Sequence, residues 1–240
     1  YLALHGFTQR GAMWAGVAAL AGGDWRAPDL PGHGGRPAVS WAEAVNLCAG
    51  WLAEAPAPRT LVGYSMGGRL ALAAALAHPD LVDRMALLSA SPGIAGPAER
   101  QRRAADDRAL AKRLEGAGVD AFLEEWLARP WFGGGKVPPP EWRAAERAAR
   151  AGSTAAGLAG ALRLLGQGAQ PYLGDRLQEL RMPVLFAAGA ADERYAALAG
   201  AMGGRAVHAR VVVMPGVGHA LVGQHPEEVA ALLASFASGA

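Results

Sequence analysis

The pentapeptide Gly63-Tyr64-Ser65-Met66-Gly67 restricts this chain more than any other stretch. The short apolar run Thr60-Leu61-Val62 leads into it, and the Ala- and Leu-rich segment Met66 to Ala77 leads away. The spacing predicts a strand, a tight turn and a helix in immediate succession, with a serine at the apex. A G-x-S-x-G pattern in that setting is a nucleophile elbow. Glycines flank the turn because neighbouring backbones approach closely there. The serine hydroxyl is pushed out at the helix N-terminus, where peptide dipoles and free N–H groups favour developing negative charge.

Strand-like and helix-like segments alternate along the rest of the chain, which places it in the α/β class. Strands are expected at Tyr1 to Leu4, Trp25 to Ala27, Arg59 to Gly63, Met85 to Leu88, Met182 to Ala188 and Arg210 to Met214. Their continuous apolar runs call for a mostly parallel sheet with helices on both faces. Ser40 and Glu43 form a capping box that opens a helix running to Ala55, with Trp41, Val45, Cys48 and Leu52 on one face. Pro226, Glu227 and Glu228 open the last helix. Between residues 93 and 178 the β pattern is lost. Helical stretches 98–116, 119–128, 141–150 and 154–166 are separated by turns such as Gly133-Gly134-Gly135 and Pro138-Pro139-Pro140. This segment reads as a helical cap inserted over the carboxyl edge of the sheet, where ligands bind in open α/β folds. The expected organisation is a core of residues 1–92 and 179–240 with a cap of residues 93–178.

Composition removes several classes. The 240 residues are 52% hydrophobic and 18% charged, enough for a sizeable core. No run reaches the ~18–20 apolar residues that span a membrane, so no membrane insertion is expected. Tyr1-Leu2-Ala3-Leu4 enters His5-Gly6 without a basic leader region, and the single cysteine, Cys48, allows no internal disulfide; a cytoplasmic location is the expectation. No cluster of ligating residues implies a metal or an organic cofactor. Twenty-three cationic side chains face 21 acidic ones, with no basic stripe for nucleic acid. Only Lys112 and Lys136 are lysines; the other 21 cations are arginines, the side chain suited to bidentate carboxylate recognition. A GC-rich coding bias, visible also in the Ala and Gly load, would raise arginine throughout.

A serine hydroxyl needs a neighbouring base to act at neutral pH. His219, in Pro215-Gly216-Val217-Gly218-His219 directly after the last strand, is the candidate. Asp192, after the strand at 182–188, is the orienting acid, with Glu193 as its competitor. Two N–H groups should face a developing oxyanion. Met66 follows the nucleophile position, and Phe7 sits in the His5-Gly6-Phe7 loop after the first strand. His5 and Gly6 shape that loop, and His33 reads as structural.

The order Ser65, Asp192, His219 and the elbow resemble the α/β-hydrolase superfamily across the whole chain. Several segments resemble one family within it, the 2-succinyl-6-hydroxy-2,4-cyclohexadiene-1-carboxylate synthases of menaquinone biosynthesis. They are Leu4 to Thr8 with Trp14, Gly63 to Arg69, Ser91-Pro92-Gly93-Ile94 with Glu99, Arg103 and Asp107, Phe122 through Trp126 to Phe132, Leu162 to Leu173, and Gly189 to Tyr195. Other superfamily members seldom combine Arg69 with Gln170-Pro171. The resemblance implies a lyase. Ser65, activated by His219 and Asp192, would remove a ring proton, and pyruvate would leave without an acyl-enzyme. It also implies a small-molecule substrate with three carboxylates, which need cationic partners in a capped site. Matched positions give Arg69, Arg103 and Arg150 as those partners, with Arg100, Arg102, Arg108 and Arg147 as competitors. Tyr64 and Trp126 would line the pocket. The chain departs from the family at Ala220 to Gly223, where Asn and a second His are common, and at Gly174, where Trp is common. A carboxylesterase or a carbon–carbon bond hydrolase could use the same three residues. A non-catalytic binding protein on the same fold is a second rival, and the intact Ser65, Asp192 and His219 argue against it.

Overall fold

The computed structural model describes residues 1–133 and 135–239; Gly134, part of the expected glycine turn, lies outside them. Five strands form one parallel sheet in chain order: β1 (Leu2–Leu4), β2 (Thr60–Tyr64), β3 (Arg84–Leu88), β4 (Val184–Gly189) and β5 (Ala209–Met214). The helices are α1 (Ala15–Ala21), α2 (Trp41–Ala53), α3 (Met66–Ala77), α4 (Pro97–Ala117), α5 (Val119–Leu127), α6 (Pro140–Ala149), α7 (Ala155–Leu165), α8 (Glu193–Gly203), α9 (Leu221–Gln224) and α10 (Pro226–Ser238).

Strand side chains alternate between two cores, as the period of two requires. Leu2, Leu4, Leu61, Met85, Leu87, Val184, Phe186 and Ala188 pack with α2, α3 and α8. Ala3, Val62, Tyr64, Ala86, Leu88, Leu185 and Ala187 pack with α1 and α10. Full burial of a side chain such as Phe186 contributes about 1.5–3 kcal/mol. Helix α3 is buried along its whole length up to Ala77, so its Ala/Leu composition reflects contact on all sides. The capping box at α2 forms as expected: Ser40 N–H donates to Glu43 at 2.9 Å, and Glu43 N–H donates to Ser40 Oγ at 3.3 Å.

Two expectations are corrected. The strand at Trp25 to Ala27 is a single parallel bridge, Leu2 to Arg26, held by Ala3 N–H to Arg26 O and Arg26 N–H to Tyr1 O, each 2.8 Å. Strand β5 is not covered on both faces: it lies at one edge of the sheet, and Val211 and Val213 are exposed. Helices α1 and α8 occupy segments to which the sequence reading assigned no element; their Ala-rich sequences carry only a thin apolar stripe.

Helices α4 to α7 lie between β3 and β4. They have a small core of their own, built from Ala111, Leu114, Phe122, Leu123, Leu158, Ala159 and Leu162, with Phe7 packed against it. Among the described residues, no helix is long and apolar enough to cross a membrane.

Candidate active site

The sheet register brings four loops to one edge. Leu4 pairs with Gly63, Tyr64 with Leu88, Leu88 with Ala187, and Gly189 with Met214. The segments following β1, β2, β4 and β5 therefore emerge side by side.

After β2 comes Ser65, at φ 51° and ψ −110°. A non-glycine residue there stores on the order of 1–3 kcal/mol of strain. Surrounding contacts hold it in place. Ser65 N–H donates to Leu88 O at 2.9 Å. A Cβ at Gly63 would lie 2.5 Å from Gly68 Cα, one at Gly68 would lie 2.6 Å from Ala90 Cβ, and one at Gly67 would strike the Leu4 carbonyl. The elbow glycines thus let the start of α3 press onto β1, β2 and the end of β3. Thr8 (φ 68°) and Ser89 (φ 44°), just beyond β1 and β3, are strained in the same way.

His219 arrives on the loop after β5. Its Nδ1 lies 2.5 Å from Asp192 Oδ2, and its Nε2 lies 3.1 Å from Ser65 Oγ. A carboxylate only accepts, so Nδ1 carries the proton and Nε2 is left to accept from the serine. Asp192, not Glu193, occupies the position next to the imidazole; Glu193 is exposed. The His219 backbone is fixed at both ends: its N–H donates to Trp131 O at 3.0 Å, and its carbonyl accepts from the Tyr64 hydroxyl at 2.9 Å. Burial pushes the Tyr64 phenol above its usual pKa, which keeps it a neutral donor. The Ser65 hydroxyl, held against Nε2, can pass its proton to the imidazole as it attacks or abstracts.

Two buried histidines brace the loop after β1. Leu30 N–H donates to His5 Nε2 at 2.8 Å, and Thr8 N–H donates to His33 Nε2 at 3.1 Å. Their Nδ1 atoms face the carbonyls of Gly6 and Pro31. Both rings are therefore neutral, and burial holds their pKa values down, to about 3 for His5 and about 4 for His33. They hold Phe7 beside the elbow. Gly6, Phe7, Ser65 and Met66 line the same cavity. Met66 is the first residue of α3, where the N–H has no acceptor within its own helix.

That cavity measures about 560 Å³ and runs from Ser65, Asp192 and His219 up to α4, α5 and α7. All of Tyr64, Arg69, Arg103, Trp126 and Arg150 line it. Arg69 is 5% exposed and donates to Leu165 O at 2.9 Å and to Gln170 Oε1 at 3.4 Å. Among the described residues no carboxylate pairs with it, and burial draws its pKa down to about 10, still a cation at neutral pH. Arg103 donates to Asp107 at 2.8 Å. Arg150 is committed to Glu146 and to Thr8 Oγ1, the latter at 3.0 Å. The competitors lie elsewhere: Arg102 and Arg108 are exposed, Arg147 pairs with Glu124, and Arg100 is absent from the lining. At Gly174, a side chain would meet the Tyr172 ring, so tyrosine fills that space.

Sequence reasoning missed Arg129, Trp131, Gln167, Arg194 and Tyr195, which also line the cavity. Arg129 stacks between Trp126 and Trp131, 4.7 and 4.8 Å from their ring centroids. Tyr195 packs on the His219 ring at 4.7 Å. The aromatic cluster at residues 126–132 was the available signal for Arg129, whereas Tyr195 needed recognition of α8.

Comparison with known proteins bears on the family and the fold. The model of the alpha/beta hydrolase family matches residues 2–232. A 2-succinyl-6-hydroxy-2,4-cyclohexadiene-1-carboxylate synthase of Pectobacterium atrosepticum is 31% identical over 207 residues, 83% of this chain and 80% of that one. A protein of the same name from Serratia proteamaculans is 30% identical over 97% of this chain and 91% of its own length. The solved structure of MenH from S. aureus superposes with a TM-score of 0.92 at 28% identity, covering 99% of this chain and 92% of that one. Matched along nearly its whole length and placed among enzymes, the chain belongs to the alpha/beta hydrolase family.

Proposed function

We propose that the chain is a 2-succinyl-6-hydroxy-2,4-cyclohexadiene-1-carboxylate synthase that eliminates pyruvate from an enolpyruvyl precursor. The observation that carries this reading is Arg69. A buried guanidinium with which no carboxylate pairs among the described residues, in the cavity that holds Ser65 and His219, calls for an anionic ligand. A simple ester would leave that charge uncompensated, whereas a tricarboxylate would satisfy it. The relatives' names support the same substrate class.

In this reading Ser65 is the base. Its proton passes to His219, which Asp192 orients and stabilises, and the serine oxygen takes a proton from the substrate ring. The released electron pair moves into ring conjugation, charge gathers on the succinyl ketone oxygen, and the bond from the ring to the enolpyruvyl oxygen breaks. The His219 imidazolium gives its proton to the departing enolpyruvyl oxygen, so pyruvate leaves as its enol and the triad returns to its starting state. The Phe7 and Met66 N–H groups hold the developing oxyanion. Arg69, Arg103 and Arg150 bind carboxylates, with Tyr64 and Trp126 shaping the pocket. Residues 93–178 act as the cap that excludes water, and we place the reaction in the cytoplasm.

The test is pyruvate release from the enolpyruvyl precursor by the purified enzyme. Release well above the uncatalysed rate is the expected result. No release, together with a product burst from an activated ester, would replace this reading with an esterase.

A further inference from the structure

One amide at the side of the cavity has an orientation that its neighbours dictate. Gln167 lies between Arg103 and Tyr195. Arg103 Nη1 donates to Gln167 Oε1 at 3.2 Å, and because arginine only donates, the amide oxygen must face it. The amide nitrogen then donates to the Tyr195 phenolic oxygen at 2.8 Å. That oxygen is an acceptor in this bond, so its own proton points elsewhere. Among the described residues no acceptor takes it.

Arg103 shows a matching remainder. Its Nε is committed to Asp107 at 2.8 Å and its Nη1 to Gln167 at 3.2 Å, and among the described residues nothing accepts from Nη2, which is left for a ligand. Asp107 is buried and anchored by Gly168 N–H at 3.0 Å, so the guanidinium is held firmly. Tyr195, Arg103, Gln167 and His219 all line one cavity, and the Tyr195 and His219 rings are in contact.

We propose that the Tyr195 hydroxyl, aimed by Gln167, donates a hydrogen bond to a substrate carboxylate that Arg103 also holds. An amide edge and a carboxylate edge are nearly equal in width. The two groups that straddle Gln167 on one side can therefore straddle a carboxylate on the cavity side. Tyr195 is then a binding residue and Gln167 a positioning residue, and the pair adds a neutral donor to the arginines. The inference rests on the synthase reading, which supplies the carboxylate.

Tyr195→Phe and Gln167→Glu test it by steady-state pyruvate release from the enolpyruvyl precursor. Loss of a hydrogen bond to a charged group should lower kcat/KM of Tyr195→Phe about 10-fold or more, carried more by KM than by kcat. Gln167→Glu keeps the side chain's size but can only accept. It should turn the tyrosine proton away from the cavity and neutralise Arg103, so kcat/KM should fall at least as far with the tyrosine intact. A purely packing role predicts that this isosteric variant is harmless. The double variant should fall no further than the worse single one. Thermal melts near that of the parent protein would tie these losses to binding. Parent-like kcat/KM in either single variant overturns the proposal while leaving the synthase reading standing. Absence of pyruvate release by the parent enzyme overturns both.

Discussion

The floor and the roof of the cavity are held by different forces. On the floor, Ser65, Phe7, Asp192 and His219 stand on loops whose main chains touch one another, with no room for a Cβ at Gly63, Gly67 or Gly68. Neutral buried histidines and strained residues complete it. On the roof, α4 to α7 share a small apolar core and are tied on the outside by ion pairs: Arg113 with Glu125, Arg143 and Arg147 with Glu124, and Arg163 with Glu115. Floor positions are set by backbone and tolerate little. Roof positions are set by side chains on helices whose roll can change. An enzyme built this way can alter what it binds while keeping the chemistry fixed.

The largest effect should come from the floor. Ser65→Ala removes the hydroxyl that faces His219 Nε2 and leaves the imidazole with nothing to activate. Pyruvate release should fall by about 10³-fold or more, as in other enzymes where the triad acts as a unit. Measured kcat within 10-fold of the parent would show that Ser65 is not the base and that the floor's geometry serves something else.

Next comes Arg69, which stands on the floor helix α3 but binds the roof through Leu165. Arg69→Ala should lower kcat/KM by about 10-fold or more, the consequence of losing about 1.5–3 kcal/mol of charged hydrogen bonding. An unchanged value would remove the anion requirement from which the proposed function was argued.

What could be seen in advance follows the same division. The elbow, Asp192 and His219 were legible because the fold demands particular residues at strand ends, and strand ends can be located from apolar runs. Arg69 was legible because it lies one helical turn beyond Ser65. The roll of α4 was not: the seven residues from Glu99 to Ala105 include four charges, so no apolar stripe tells which arginine faces inward. Burial of Asp107, Ala111 and Leu114 decides its roll, and that depends on contact with α5 and α7. The place of Tyr195 in the cavity was hidden for a related reason. Helix α8 buries only Ala199 and Met202, too few positions to announce a helix.

A smaller effect concerns stability on the floor. His5 and His33 have folded-state pKa values near 3 and 4, below the ~6.5 of an unfolded histidine. Below about pH 6.5 the unfolded chain binds more protons than the folded one. Their contribution is complete above that pH and declines as pH falls toward the folded values, by about 1.4 kcal/mol per unit for each ring. In His33→Gln the amide oxygen can accept from Thr8 N–H without titrating. Urea unfolding between pH 6 and 4.5 should show a shallower acid limb for this variant. An identical slope would mean that the ring charges without opening the loop, and the floor would be softer than argued.

The smallest effect is expected on the roof's outer surface, and it tests whether that surface is as separate from the cavity as its forces suggest. Glu124 on α5 reaches Arg143 and Arg147 on α6 and is half exposed. Such pairs contribute about 0–1 kcal/mol and weaken with salt. Yet α5 also carries Trp126, and α6 leads directly to Arg150, both of which line the cavity. If α5 and α6 are held by their apolar contacts, Glu124→Gln should cost less than about 1 kcal/mol in urea unfolding and change kcat/KM less than twofold, with the difference vanishing at high salt. A larger loss of kcat/KM at unchanged stability would show that one surface carboxylate sets the angle between α5 and α6. The roof's shape would then depend on ionic strength, and substrate selectivity with it.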